Sequence, residues 1–285
     1  MSDDRRPARP SNRRPGGPGG RPGQRHAPRG FRGGERFGPE TVWLFGLHAV
    51  RDALLNPERD RRRLILTRNA AMRLGDEAIL AGGIEPEIVD PRKFTAPIDP
   101  QSVHQGAALE AAPLDWGRIE DLCAPDPDAE TRDIVVLMDR VTDPHNVGAV
   151  LRSSEVFGAR AVIAPARHAA PETGALAKTA SGALERQPYC RVKNLGTAME
   201  TLRDMGYAIL GLDGEGEMTI AEALAEVPGG RARPVALALG AEGPGLRDKT
   251  RGLCDALVRI DSAADFASLN VSNAAAVALY ATRNG

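Results

Sequence analysis

From Ile134 onward the apolar positions fall into short dense runs: "IVVLM" (134–138), "AVIAP" (161–165), "YAILGL" (207–212), "PVALALG" (234–240) and "ALVRI" (256–260). Between them, residues 144–157, 171–181, 195–205, 245–254 and about 269–283 carry apolar side chains at helical spacing. Runs of Val, Ile, Leu and Ala joined by helices predict an α/β fold, a parallel sheet covered on both faces, over residues 133–285. Upstream the pattern is shorter. "LHAVRDALL" (47–55) predicts a helix, "RLILT" (63–67) a buried strand, and "AAMRLGDEAILAG" (70–82) another helix. "EIV" and "GAALEA" then read as strands, making a small α/β unit over 41–112. The proline- and acid-rich "PLDWGRIEDLCAPDPDAETR" (113–132) reads as a linker with one helical turn. No internal repeat is visible.

Charge changes the picture at the N-terminus. Residues 1–40 hold ten arginines against Asp3, Asp4, Glu35 and Glu40, about +6; the net −1 of the whole chain leaves about −7 for the rest. That arm is rich in Arg, Gly and Pro and nearly free of aliphatic side chains, so it cannot bury enough area to offset the entropy of ordering, and reads as disordered. It suits loose contacts to RNA phosphates, and equally a solubility tail without a partner. No apolar run approaches the roughly 20 residues needed to cross a bilayer, and no apolar segment follows the first arginines as in a secretory signal. Cys123, Cys190 and Cys254 lack the paired spacing of a zinc site or disulfide framework. The expectation is a soluble cytoplasmic protein with buried thiols and neither metal nor membrane partner.

Ligands on parallel sheets bind beyond the carboxyl ends of the strands, and polar clusters follow three of these runs. In "DRVTDPHNVGAVLRSSEVFG" (139–158), Asp143 and Pro144 suit a helix start. Val147, Val150, Leu151 and Ser154 then share one face, leaving His145 and Arg152 on the other. Arg152 is free for solvent, a ligand or a second subunit; Asn146, in the first turn, equally fits a backbone-satisfying role. In "GAEGPGL" (240–246) the glycines run GxxGxG, not the GxGxxG of a dinucleotide site, and Asp248 replaces the glycine a phosphate loop has before Lys-Thr. A close backbone approach to a ligand and a plain tight turn both fit. Glu242, a carboxylate at a strand mouth, wants a partner. In "DFASLNVSNAAAVALYAT" (265–282), Ser268, Asn270, Ser272 and Asn273 are more polar groups than a helix cap needs.

Together "DPHNVGAVLRS" (143–153), "LGAEGPGL" (239–246) and "IDSAADFASLNVSNAAA" (260–276) resemble the SpoU (TrmH) family of RNA ribose 2′-O-methyltransferases, in the SPOUT class. "FGLHAVRDALL" (45–55) is similar to the start of the small, L30e-like substrate-binding domain of the ribosomal-RNA members; the arm has no counterpart. The resemblance implies a deep C-terminal trefoil knot, which ordinary connection rules would exclude. It implies S-adenosylmethionine in that knot, with contacts at Gly240, Ile260 and Leu269, and a homodimer with sites near the subunit interface. Asn146, Arg152, Glu242, Ser268 and Asn270 match the residues that surround the chemistry. The family's arginine is commonly assigned as the base. A guanidinium, with a pKa of about 12.5 or above, is better suited to clamping a phosphate and stabilising a developing 2′-alkoxide. A domain before the knot resembles the branch that modifies a guanosine in the P loop of 23S ribosomal RNA. Branches acting on tRNA guanosine or ribosomal adenosine stay open, as does a non-catalytic RNA-binding assembly protein. Arg51, Arg63, Arg68 and Lys93 are the RNA-contact candidates of the small domain.

Overall fold

The computed structural model describes residues 41–99, 101–261 and 269–285. The arm expected over 1–40, and the site candidate Ser268, lie outside the described residues. The smaller of two sheets is built from β1 (Val42–Phe45), α1 (Leu47–Leu55), β2 (Arg61–Thr67), α2 (Arg68–Leu74), α3 (Asp76–Gly82), β3 (Pro86–Val89) and β4 (Ala107–Ala111). Its strand order is β1-β4-β2-β3, with β2 and β3 parallel and β4 antiparallel to β1 and β2. The single helix expected over 70–82 is two helices, because Gly75 between them adopts φ +81°, a conformation closed to a continuing helix.

The 113–132 segment is laid against the larger sheet. Its one helical turn, α4 (Ile119–Leu122), packs with Trp116 and Cys123 on one face, and the Tyr207 hydroxyl donates to the Cys123 carbonyl at 2.8 Å. The larger sheet follows: β5 (Ile134–Asp139), α5 (Pro144–Val156), β6 (Ala161–Pro165), α6 (Gly174–Ala180), β7 (Tyr189–Val192), α7 (Leu195–Asp204) and β8 (Ala208–Leu212). The chain continues through β9 (Met218–Thr219), α8 (Ile220–Glu226), β10 (Val235–Gly240), α9 (Asp248–Arg251), β11 (Ala256–Arg259) and α10 (Val271–Asn284). The order is β7-β6-β5-β10-β8-β11-β9 and every neighbouring pair is parallel.

Period-two alternation explains why the central strands read as unbroken apolar runs. Ile134, Val136 and Met138 of β5 face one core while Val135 and Leu137 face the other, and β10 divides likewise between Val235, Leu237, Leu239 and Ala236, Ala238. The first core is continuous with that of the smaller sheet. At the join, a Cβ on Gly174 would overlap the Phe45 ring, so glycine alone lets α6 start there. Beside it the buried Arg59 guanidinium bonds Glu185 (2.7 and 3.1 Å), Glu172 (3.0 Å) and the Ala112 carbonyl (2.8 Å). The helix expected over 245–254 shrinks to α9, since Gly245 holds φ +68° and Arg247 is extended. The thiols are free, and burial pushes those of Cys123 and Cys254 up to about 12.

Candidate active site

β5 and β10 run parallel in register, Ile134 opposite Val235 and Asp139 opposite Gly240, so the turns after them emerge side by side. The turn after β10 closes on itself. Ala241 and Gly245 exchange backbone hydrogen bonds of 3.1 and 2.9 Å, and a Cβ on Gly240 would overlap the Gly245 carbonyl carbon and the Leu246 nitrogen. Its return is pinned from the neighbouring strand. Asp139, 1% exposed, accepts from the Arg247 backbone N–H (3.1 Å), Arg247 Nε (2.7 Å) and Thr250 Oγ1 (2.6 Å). Burial pushes the Asp139 carboxyl up, but the hydrogen bonds from Arg247 and Thr250 together outweigh it and hold it below the ordinary carboxylate value. Asp139, Arg247 and Thr250 were not among the site candidates; the available signal was an acid ending an otherwise apolar strand.

The helix start after β5 is as the residues dictate: Asp143 accepts from the His145 N–H at 2.9 Å and Pro144 takes the first helical position. That delivers Asn146, 8% exposed, to the mouth of the β10 turn. Its Nδ2 donates to Glu242 Oε2 at 3.3 Å, and its Oδ1 accepts from Asn270 Nδ2 at 3.0 Å. Asn270 in turn caps α10, accepting from the Ser272 N–H (2.9 Å) and Ser272 Oγ (2.6 Å). One side-chain amide thus joins all three polar clusters, and Glu242 has its partner. The second Glu242 oxygen has none among the described residues.

Arg152 is exposed on α5 with no hydrogen-bond or ion-pair partner among the described residues. His145, also exposed, places Nδ1 3.0 Å from Thr179 Oγ1. Ile260 follows β11, half-buried against the core, and Leu269 lies just before α10, 50% exposed. With Gly240 these offer backbone donors and acceptors plus apolar side chains. That set suits an adenosyl group, with a flat apolar ring and a hydrogen-bonding edge, better than a metal; no group of three or more His, Cys, Asp or Glu able to hold a metal occurs among the described residues.

The four RNA-contact candidates of the smaller sheet are not brought together. Arg63 is bound bidentately to Glu87 at 2.6 and 2.9 Å. Arg68 and Lys93 are exposed beyond the ends of the parallel strands β2 and β3 and share one edge, while Arg51 is exposed on α1.

Comparison with known proteins gives this geometry a context. Residues 133–280 match the SpoU rRNA Methylase family. The "23S rRNA (guanosine-2'-O-)-methyltransferase RlmB" of Pseudomonas putida is 35% identical over 245 residues, covering 83% of this chain and 94% of the relative. An "Uncharacterized tRNA/rRNA methyltransferase" of Synechocystis is 35% identical over 242 residues; the chain spans 61% of that relative's length. The crystal structure of the SpoU methyltransferase AviRb from Streptomyces viridochromogenes shares the fold, with a TM-score of 0.68 and 23% identity over 85% of this chain and 88% of that one. AviRb has also been solved in complex with the cofactor AdoMet. With its three polar clusters joined at Asn146 and its larger sheet matched from end to end, the chain belongs to the SpoU rRNA methylase family.

Proposed function

We propose that this chain transfers a methyl group from S-adenosylmethionine to a ribose 2′-OH of ribosomal RNA, a guanosine in the P loop of 23S RNA. The observation that carries the reading is the hydrogen-bonded line Glu242–Asn146–Asn270, which draws three segments far apart in sequence to one point at the carboxyl edge of the sheet. The target is supported by two relatives named "23S rRNA (guanosine-2'-O-)-methyltransferase RlmB", matched over 94% and 96% of their lengths.

When bound, the cofactor supplies an electrophilic methyl on a sulfonium. The chain's residues hold and orient. The β10 turn at Gly240, with Ile260 and Leu269, forms the wall for the adenosyl group. Asn146 donates one of its two N–H groups to Glu242 and accepts from Asn270 on its carbonyl oxygen, so it fixes those two; a neutral amide is no base for the hydroxyl proton. Glu242 keeps one oxygen for the ribose hydroxyl. Arg152, always charged and planar, clamps the target phosphate and stabilises negative charge developing on the 2′-oxygen. Ser268, matched to the same motif as Asn270, is assigned to the same chemistry.

The assembly we infer is a homodimer. Val156 (71% exposed) and Tyr280 (61% exposed) lie on α5 and α10, with the Tyr280 ring edge-on to Phe157 at 6.1 Å. Arg152 is one turn before Val156, so a second copy covering this apolar face brings the guanidinium into a subunit interface. α10 follows β11, yet packs against α5, β5 and β10; passage of the tail through the loops of a trefoil knot accounts for that return. Residues 41–112 form the RNA-binding domain and 133–285 the catalytic one. The compartment is the cytoplasm, in keeping with free cysteines and with no described helix long and apolar enough to cross a membrane.

Titration calorimetry with S-adenosylmethionine, paired with methyl transfer to ribosomal RNA, tests the reading. Arg152→Ala should bind the cofactor like wild type yet lose turnover by about 10²–10³, the scale for removing one transition-state donor. Arg152→Lys should stay well below wild type. Wild-type turnover in the lysine variant contradicts the clamp, and absence of cofactor binding by the unaltered chain contradicts the function.

A further inference from the structure

All seven strands of the larger sheet are parallel, so the turns that follow them line a single edge in the order β7-β6-β5-β10-β8-β11-β9. The charges on that edge are sorted by side. After β7 stands Lys193, after β6 Arg167 and His168, after β5 Arg140, all exposed; none of these has a hydrogen-bond or ion-pair partner among the described residues. Lys249 of α9 joins them: a Cβ on Gly196, at the start of α7 beside Lys193, would lie 3.6 Å from its Cε. Among the acids on this side Asp139, Asp143 and Glu172 are engaged, while Asp248, next to Lys249, is exposed. Asp143 caps α5, and Glu172 is buried on Arg59. Beyond β10 the sign reverses. Asp213, Glu215 and Glu217 follow β8 and Asp261 follows β11, offset among the described residues by Arg251 on Asp213 and Arg259 near Asp261 (3.5 Å). The seam between the halves is the β10 turn, where Asn146 meets Glu242.

Arg140 adds a second, independent sign. It holds φ +63°, a left-handed conformation that costs an L residue and that glycine would adopt freely. A guanidinium is kept at the strand mouth against the local preference of the backbone.

We propose that the basic half of this edge, Lys193, Arg167 and Arg140 over β7, β6 and β5, is the track on which the RNA phosphate backbone lies, leading a target ribose to the seam. The acidic half over β8 and β11 repels phosphates and so fixes the side from which the strand arrives. This rests on the reading of RNA as substrate and adds where on the catalytic sheet it binds.

The test uses the full chain and a fluorescein-labelled single-stranded RNA. Anisotropy titrations across a range of salt compare wild type with an Arg140→Gln/Arg167→Gln/Lys193→Gln variant; the three side chains are exposed and unpartnered, so the fold should melt unchanged. Three lost phosphate contacts at about 0.7 each for a single strand should reduce the slope of log affinity against log salt by about 2 and weaken binding across sequences alike. Glu215→Gln/Glu217→Gln should tighten binding at low salt; unchanged or weaker binding overturns the repelling role of the acidic half. A triple variant with wild-type affinity and slope overturns the track. Calorimetry with S-adenosylmethionine runs beside it: failure of wild type to bind the cofactor strikes the proposed function, while intact cofactor binding with an unmoved RNA slope strikes this inference alone.

Discussion

Asp139 and Asn146 divide the work of holding the site. Asn146 joins the clusters directly, and Asp139 decides where the β10 turn can be, because its buried carboxylate is the fixed point for Arg247 and Thr250. Replacing Asp139 by Asn leaves Arg247 with a weaker, neutral acceptor and should cost about 1–3 kcal/mol of stability at neutral pH. The pH dependence has a definite sign. The folded value is depressed, so the carboxylate's contribution is fully present above the ordinary value of about 3.9 and is lost as pH falls through the folded one. The gap in denaturation free energy between wild type and Asp139→Asn should therefore hold from neutrality to about pH 5 and close only well into acid. A gap that widens on acidification contradicts this role.

At the scale of elements, the join between the two sheets depends on one buried cation. Arg59 faces two carboxylates, and burial pushes Glu172 up despite the neighbouring guanidinium. Removing the cation strands both acids in the interior. Arg59→Ala should cost about 3–5 kcal/mol, read as a fall in the thermal midpoint on the order of 10 °C, whereas a loss below about 1 kcal/mol would mean the sheets are held by apolar packing alone. The elements themselves were legible where the local chemistry was complete. β5, β6 and β10 are apolar on both faces, and α5 announces itself through Asp143 and Pro144. β7, "YCRV" on the sheet's edge, and β9, two residues long, carry too few apolar positions to show a period. The helix expected over 245–254 starts too early because Pro244 reads as a helix start, whereas Pro244-Gly245 is a turn in which Gly245 takes the positive φ. The three polar clusters could be listed from the sequence, and their membership in one site could be expected from resemblance. Their meeting at Asn146 could not be derived locally, since it depends on pairing β5 with β10 and bridging separations of 96 and 124 residues.

Over the whole molecule, charge distribution says more than net charge. An acidic body of about −7 carries a row of exposed cations on half of one sheet edge, and residues 1–40 add about +6. On the proposed track, the acidic half of the same edge would repel phosphates and so orient an RNA chain along the basic half. The apolar patch around Val156 and Tyr280 is exposed beyond the Tyr280–Phe157 ring contact, and pairing of two copies there would put Arg152 at the boundary between them. The central claim, methyl transfer to one ribose of 23S ribosomal RNA, is tested most directly by mapping 2′-O-methyl groups in ribosomal RNA from cells lacking this gene. One guanosine of the P loop should lose its methyl group and regain it with the wild-type gene but not with Arg152→Ala; that same guanosine fully methylated in the absence of the gene would contradict the account.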